Sequence, residues 1–219
     1  MRLFIVLLMF FSCFLSSGLV LSQTIERGEK SITYVIDTPG KDKNTLYLEI
    51  FKSIALIYKD ANNVIQMNDK ESGTIIVKGL SNIDYLNFWW IGMPKLAKTM
   101  MQEKYSFPLN HSIEINIKDN KFRMVVNFTS LDQMELAYPE DIYNLIDLRT
   151  DGFQNFKFLE LETRLYLKKK VRLSDKKISV CIDEMYKSVN NFNSEINLFS
   201  DSLVNQILKQ IESSSVDDW

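Results

Sequence analysis

Apolar residues occupy every second position along three runs of the chain, 31–37, 112–118 and 121–128. A period of two places every second side chain on the same face of a strand, so each run predicts a half-buried β-strand. Asp119-Asn120 joins the last two runs, and we expect a hairpin there because asparagine tolerates the positive φ of a tight turn. The alternating apolar residues are Ile32, Tyr34, Ile36, Ile113, Ile115, Ile117, Phe122, Met124, Val126 and Phe128.

The stretch Val64–Gly79, which reads VIQMNDKESGTIIVKG, lies at the centre of the predicted arrangement. Apolar runs flank the polar residues 68–73, and this pattern predicts two more strands joined by a tight connection. In the second strand one face carries Ile75 and Val77, and the other face carries Thr74, Ile76 and Lys78.

Apolar residues spaced by three or four predict a helix between the first strand and this stretch. Pro39-Gly40 ends the strand, because proline has no amide hydrogen to donate to a ladder. Asp42 or Asn44 then caps the helix at its N-terminus. The apolar stripe of this helix consists of Leu46, Ile50, Ile54, Ile57 and Tyr58.

The C-terminal third predicts two further helices, over 176–189 and 194–212. The type of residues 156–172 stays open, because leucines recur there with the period of a strand while Glu, Leu, Arg and Lys favour a helix. The buried stripes of the two helices are Ile178, Ile182, Met185 and Val189, then Ile196, Phe199, Leu203, Ile207 and Ile211.

The N-terminus has the pattern of an export signal. Residues 3–15 are almost wholly apolar, follow an arginine and precede small residues. Val20 and Ser22 suit the minus-three and minus-one pockets of a signal peptidase, so we expect cleavage between Ser22 and Gln23. The apolar run is shorter than the ~20 residues of a membrane span. We therefore expect a periplasmic or secreted protein whose mature chain has no transmembrane segment. The alternative is that the apolar run stays attached as an uncleaved N-terminal anchor.

Removal of the signal peptide 1–22 from the 219-residue chain leaves 197 residues, which suits one domain. We assign 31–212 to this domain, with insertions at about 80–109 and 130–185. The predicted remainder is a flexible tail over 23–30 and a frayed terminus over 213–219.

Charge and cysteine content restrict the function classes. The chain has 26 Lys+Arg and 28 Asp+Glu, so its net charge is −2, and loss of Arg2 with the signal makes it about −3. A slightly acidic chain lacks the basic surface of a nucleic-acid binder, and we expect no nucleic-acid partner. Cys13 leaves with the signal, so Cys181 remains without an internal disulfide partner.

Three motifs together resemble the exported domain-of-unknown-function family numbered 4468, which occurs mostly in Bacteroidetes. They are DTPGKDKNTLYLEIFKSIA, VIQMNDKESGTIIVKG and IEINIKDNKFRMVVNFTS, and the resemblance covers about residues 31–129. The resemblance falls on Pro39–Lys41, on Ile65 to Ile75 and on Lys121–Arg123. It implies an α+β, TBP-like β-α-β-β-β-β-α fold, an antiparallel sheet packed by helices. It implies no activity, and a TBP-like topology does not transfer DNA binding.

Few residues of the sequence suggest catalytic chemistry, and we predict no cofactor, metal or catalytic residue. His111 is the only histidine, which excludes histidine triads and multi-histidine metal sites, and we interpret it as a polar residue at a strand end. Cys181 is interpreted as a small buried residue, and the basic run 168–172 as a solvated face. Asp69 and Glu71 suit a turn, but the alternative is a carboxylate-dependent, hydrolase-like enzyme that uses this pair.

The aromatic-rich segment 86–101 supports a more specific hypothesis about function than the carboxylate pair does. Phe88, Trp89, Trp90 and Met93 surround a Gly-x-Pro break, and such residues are enriched in the cores of protein interfaces. Burial against the sheet and contact with a membrane are the alternatives. We predict an uncharacterised, non-enzymatic protein that binds a protein or peptide partner in the cell envelope through this patch or through the sheet.

Overall fold

A single antiparallel sheet organises the protein. The structure, a computed structural model, describes residues 22–58, 61–86, 104–131, 148–149 and 156–214. The six strands in these ranges form one sheet of order β1-β2-β6-β5-β4-β3. They are β1 (Gln23–Arg27), β2 (Ser31–Asp37), β3 (Ile65–Asp69), β4 (Thr74–Leu86), β5 (Lys104–Lys118) and β6 (Lys121–Leu131).

Helices cover one face of this sheet. The described residues form α1 (Lys43–Ile57), α2 (Ala61–Val64), α3 (Phe156–Lys169) and α4 (Asp175–Ser214). Both α1 and α4 pack on the sheet, and the alternating apolar residues of the strands meet them in a core that excludes water. The largest side chains buried in this core belong to Tyr34, Phe122, Phe192, Ile32, Ile36, Leu46, Ile50 and Ile54.

Several sequence predictions are confirmed. Asp42 is the N-cap of α1, since its carboxylate accepts the amide hydrogens of Asn44 and Thr45. The predicted hairpin consists of β5 and β6, with Lys118 opposite Lys121 and Asn120 at φ 63° in the turn. Cys181 is buried in α4, as expected for a small apolar side chain.

Residues 23–30 are not a loose tail, because residues 23–27 form β1, which pairs along its whole length with β2. All five β1 residues are exposed, so their side chains carry no core pattern, and backbone hydrogen bonding is what makes this edge segment a strand. The tail prediction is therefore wrong.

The C-terminal helices also differ from their prediction. Residues 175–214 form the single 40-residue helix α4. Phe192 is buried between Val189 and Ile196, so the apolar stripe continues through the expected break. Residues 156–169 are a helix, α3, in which Thr163 and Leu167 are buried while Leu161 and Leu165 are exposed. The buried pair is spaced by four, as a helix requires.

No helix among the described residues has both the length and the apolar composition required to cross a membrane.

Candidate functional site

Among the described residues, β4 and β5 extend beyond the other strands of the sheet as a two-stranded ribbon. Their pairing runs from Thr74 opposite Asn116 to Leu86 opposite Lys104. Within the described part of the chain, β6 pairs with β5 from Lys118 to Leu109, and β3 pairs with β4 from Thr74 to Val77. Residues 81–86 and 104–108 therefore pair with each other alone among the described strands, over roughly 17 Å at ~3.4 Å per residue. Residues 80–86 and 104–109 of the predicted insertion are therefore strand residues of the sheet.

The ribbon determines where the aromatic-rich segment is attached. Leu86 and Lys104 are register partners at the end of the ribbon, so the chain positions between them connect two strand ends that lie side by side. The predicted patch, Phe88, Trp89, Trp90 and Met93, belongs to this connection and lies outside the described residues. Its attachment point is thus the end of the ribbon.

The carboxylate pair of the hydrolase alternative lies in the β3–β4 turn. The Asp69 carboxylate accepts the amide hydrogens of Glu71 at 2.9 Å and Ser72 at 3.1 Å. These hydrogen bonds, led by the one from Ser72, lower the pKa of Asp69 from its ordinary value. The backbone carbonyl of Glu71 accepts a hydrogen bond from the Lys43 ammonium. Asp69 therefore stabilises the turn. The hydrogen bonds of this pair do not indicate a role as general acid or general base.

The three motifs meet at the N-terminus of α1. The β5–β6 turn holds the preceding loop, because the Asn120 carbonyl accepts the Thr38 amide hydrogen at 2.7 Å and its side-chain oxygen accepts that of Gly40 at 2.8 Å. The neighbouring Asp119 carboxylate accepts the Lys43 amide hydrogen at 2.8 Å. The motifs that carry the family resemblance thus contact one another where the β5–β6 turn meets the loop before α1. We call this contact the junction, and its role is structural.

A buried ion pair joins this junction to both packed helices. The Lys41 ammonium lies 2.6 Å from a carboxylate oxygen of Glu49 in α1, and the two side chains are 16% and 9% exposed. The same ammonium donates to the Ile211 carbonyl near the end of α4 at 3.2 Å. One lysine therefore ties the loop before α1 to both helices of the packed layer.

His111 is buried within β5, so its interpretation as a strand-end polar residue is wrong. Its Nε2 lies 2.8 Å from the Tyr58 hydroxyl, and the ring of Phe199 meets it edge-on at 5.0 Å between centroids. Gly79 makes room for this pair, since a Cβ there would lie 2.6 Å from the imidazole. Burial lowers the pKa of His111 and raises that of Tyr58 to about 12.

We expect protein stability to fall as pH drops below about 6.5, the ordinary pKa of histidine. The folded protein holds His111 neutral to a lower pH than the unfolded chain, so the unfolded chain takes up its proton first. The contribution is complete above the unfolded pKa and declines below it, by at most ~1.4 kcal/mol per pH unit for one proton. Urea unfolding at pH 7.5, 6.5 and 5.5 measures this slope.

The His111→Gln variant is the control for this titration, because His111 is the only histidine in the chain and glutamine does not titrate. The variant should show a flatter dependence across the same interval. An unchanged slope would assign the effect to carboxylates instead.

The sheet face opposite the helices is polar and of mixed charge. Arg123 lies 3.7 Å from Glu114, which accepts a hydrogen bond from the Asn116 amide at 2.7 Å. In the described chain no cluster of three or more His, Cys, Asp or Glu residues could hold a metal ion. The basic run at 168–172 is exposed, as predicted for a solvated face, and Lys168 pairs with Asp175 at 2.9 Å.

Residues 33–132 match the family described as "Domain of unknown function (DUF4468) with TBP-like fold". The chain is similar to the crystal structure of a DUF4468 family protein from Bacteroides ovatus ATCC 8483, with 14% identity, a TM-score of 0.48, and coverage of 84% of this chain and 86% of that one. It is also similar to a TBP-like protein from Parabacteroides distasonis ATCC 8503, with 14% identity, a TM-score of 0.39, and coverage of 81% and 92%. No curated protein matches. The predicted family resemblance and the α+β, TBP-like fold are confirmed.

Proposed function

We propose that this chain, which carries a DUF4468 domain over residues 33–132, is an exported, non-enzymatic protein that binds a protein or peptide partner in the cell envelope. The segment Phe88–Met93 supplies the binding surface. The observation that supports this proposal is the pairing of Leu86 with Lys104 at the end of the β4–β5 ribbon.

The composition of the segment suits such a role. Large aromatic side chains contribute much of the free energy of binding at protein interfaces while losing little conformational entropy, and methionine adapts its shape to a partner. Two tryptophans, a phenylalanine and a methionine occur within six positions, 88–93. A ribbon anchored in a six-stranded sheet provides a rigid support for such a segment.

Export is part of the proposal, and the position of β1 supports it. β1 begins at Gln23, directly after the cleavage position expected from the sequence. Cleavage after Ser22 preserves every register pair between β1 and β2. The mature chain would thus retain the complete six-stranded sheet.

The Trp89→Ala/Trp90→Ala variant tests the patch. Truncation of a central interface aromatic costs ~2 kcal/mol or more, so removal of two should weaken partner binding by at least about thirtyfold. The partner is recovered from the native envelope with the wild-type chain, identified by mass spectrometry, and then titrated against wild type and variant by calorimetry.

The matched control is Trp219→Ala, which removes the remaining tryptophan of the chain, outside the segment. It should bind like wild type, and all three proteins should unfold with the same midpoint in urea. Equal affinity of the double variant and wild type would refute the patch.

A further inference from the structure

The outer edge of β4 carries a second, independent feature. β3 pairs with β4 only from Thr74 to Val77, and no other described residue pairs with this edge from Lys78 to Leu86. The edge spans nine residues of β4 on the side away from β5. A strand edge of this length can form a ladder with another chain.

The direction of the backbone groups along this edge follows from one hydrogen bond. The Ile117 amide hydrogen bonds to the Gly73 carbonyl at 2.8 Å, so this carbonyl points toward β5, and the next residue, Thr74, pairs with Asp69 of β3 on the opposite side. The β4–β5 register has no shift, and backbone groups alternate sides along a strand. The even-numbered residues therefore direct their N–H and C=O groups to the outer edge: Lys78, Leu80, Asn82, Asp84 and Leu86.

Two opposite charges lie near the two ends of this edge. Lys78 and Asp84 are both exposed, lie on the same face of the sheet, and flank the uncharged residues 79–83. Edge strands that remain solvated usually contain proline, a bulge or several lysines that discourage pairing. Residues 79–83 contain none of these, and the β4–β5 pairing shows no bulge there.

We propose that this edge binds a second copy of the chain, antiparallel, about a twofold axis at Asn82. Lys78 then lies opposite Leu86 of the second copy, and Leu80 lies opposite Asp84. All these residues direct their backbone groups outward, as a hydrogen-bonded pair requires. In this register the paired residues, 78–86, lie beyond Val77, the last β4 residue that pairs with β3.

The charge pattern favours a second copy over an unrelated peptide. In the proposed register Lys78 lies diagonal to Asp84 of the second copy, at a separation of ~7–8 Å between Cα atoms that a lysine side chain spans. Twofold symmetry forms this contact twice. Two sheets would merge into one that contains the six described strands of each chain.

Sedimentation equilibrium of the purified protein over a hundredfold concentration range tests this proposal, with Asn82→Pro as the disrupting variant. Proline removes an outward N–H and leaves the β5 ladder intact, as edge strands tolerate. The wild type should dimerise and the variant should remain monomeric. Ile25→Pro is the matched control, since the hydrogen bond from Asp37 to the Ser22 carbonyl directs the backbone of Ile25 away from β2. It should dimerise like wild type.

Exchange of the two charges gives a test that does not depend on proline. Lys78→Glu and Asp84→Lys should each weaken the dimer about tenfold, because each places like charges in both contacts. The double variant should recover most of the wild-type affinity, since each copy then supplies both exchanged charges. A monomeric wild type, a dimer insensitive to Asn82→Pro, or failure of the double variant to recover would each overturn the proposal. The Trp89→Ala/Trp90→Ala variant should remain dimeric, which separates this result from that of the aromatic patch.

Discussion

Replacement of Gly73 by alanine is expected to destabilise the protein by about 3 kcal/mol. Gly73 has a φ of +78°, a conformation that costs an L-residue ~1–2 kcal/mol. An added Cβ would also lie 2.6 Å from the Ile117 carbonyl oxygen and 2.7 Å from Cε of Lys43. The lysine can move, but the carbonyl belongs to the β5 backbone, so overpacking adds ~1–2 kcal/mol.

Gly40→Ala separates these two causes. Gly40 has nearly the same φ, +81°, and no atom lies within 4 Å of the position of its Cβ. Its substitution should therefore cost only the conformational part, ~1–2 kcal/mol. Urea unfolding of wild type and both variants provides the comparison, and equal losses would show that contact with β5 contributes nothing at Gly73.

Replacement of Lys41 by methionine is expected to cost about 3–5 kcal/mol. The substitution keeps the length of the side chain but removes the ammonium that lies 2.6 Å from Glu49. The Glu49 side chain is only 9% exposed, so water cannot replace the lost charge. The Ile211 carbonyl loses a donor as well, which loosens the end of α4. Thermal and urea unfolding both measure this loss.

Two controls test the role of burial in this pair. The Lys41→Met/Glu49→Leu double variant should recover much of the stability, because apolar groups of similar volume can replace a buried ion pair. Lys187→Met removes a pair of similar length, 2.7 Å from Glu184, in which the lysine side chain is 69% exposed, and it should leave the unfolding midpoint unchanged. Comparable losses from Lys41→Met and Lys187→Met would contradict the argument.

The central sheet and the first long helix could be predicted from sequence because their signals are local. In β2, β5 and β6 one face meets the helices and the other meets solvent, so alternation appears directly in the residues. Asp42 predicts the start of α1 because a cap uses only the next three positions. The turn at Asp69 follows similarly from its own neighbours.

Elements without an amphipathic pattern of their own were missed. β1 is determined by its pairing with β2, and its exposed side chains leave no trace of that pairing. In α3 the exposed Leu161 and Leu165 imitate a strand, while the buried stripe includes the polar residue Thr163. The two predicted helices, 176–189 and 194–212, form one helix because the buried Phe192 continues the apolar stripe between them.

The polar clusters of the interior depend on contacts distant in sequence. Tyr58 and His111 are 53 positions apart, and Lys41 and the Ile211 carbonyl are 170 apart. No spacing rule connects such residues, so the sequence predicted a strand-end histidine and placed Lys41 only in a motif of the family resemblance. The one available signal was Gly79, whose small size within a strand pattern indicates a close approach of another group.

The contacts that α4 makes with the first strands also have consequences for the order of folding. The Arg27 side chain donates a hydrogen bond to Asn197, and the Tyr34 hydroxyl donates one to Asp201, across 170 and 167 positions. The first two strands can therefore form these contacts only after α4 is present. Contacts this distant in sequence slow folding, because a long loop must close before any native interaction offsets its lost entropy. A growing chain that lacks α4 would expose the apolar face of its sheet to other chains. The sheet is therefore expected to complete its folding only after α4 has left the ribosome.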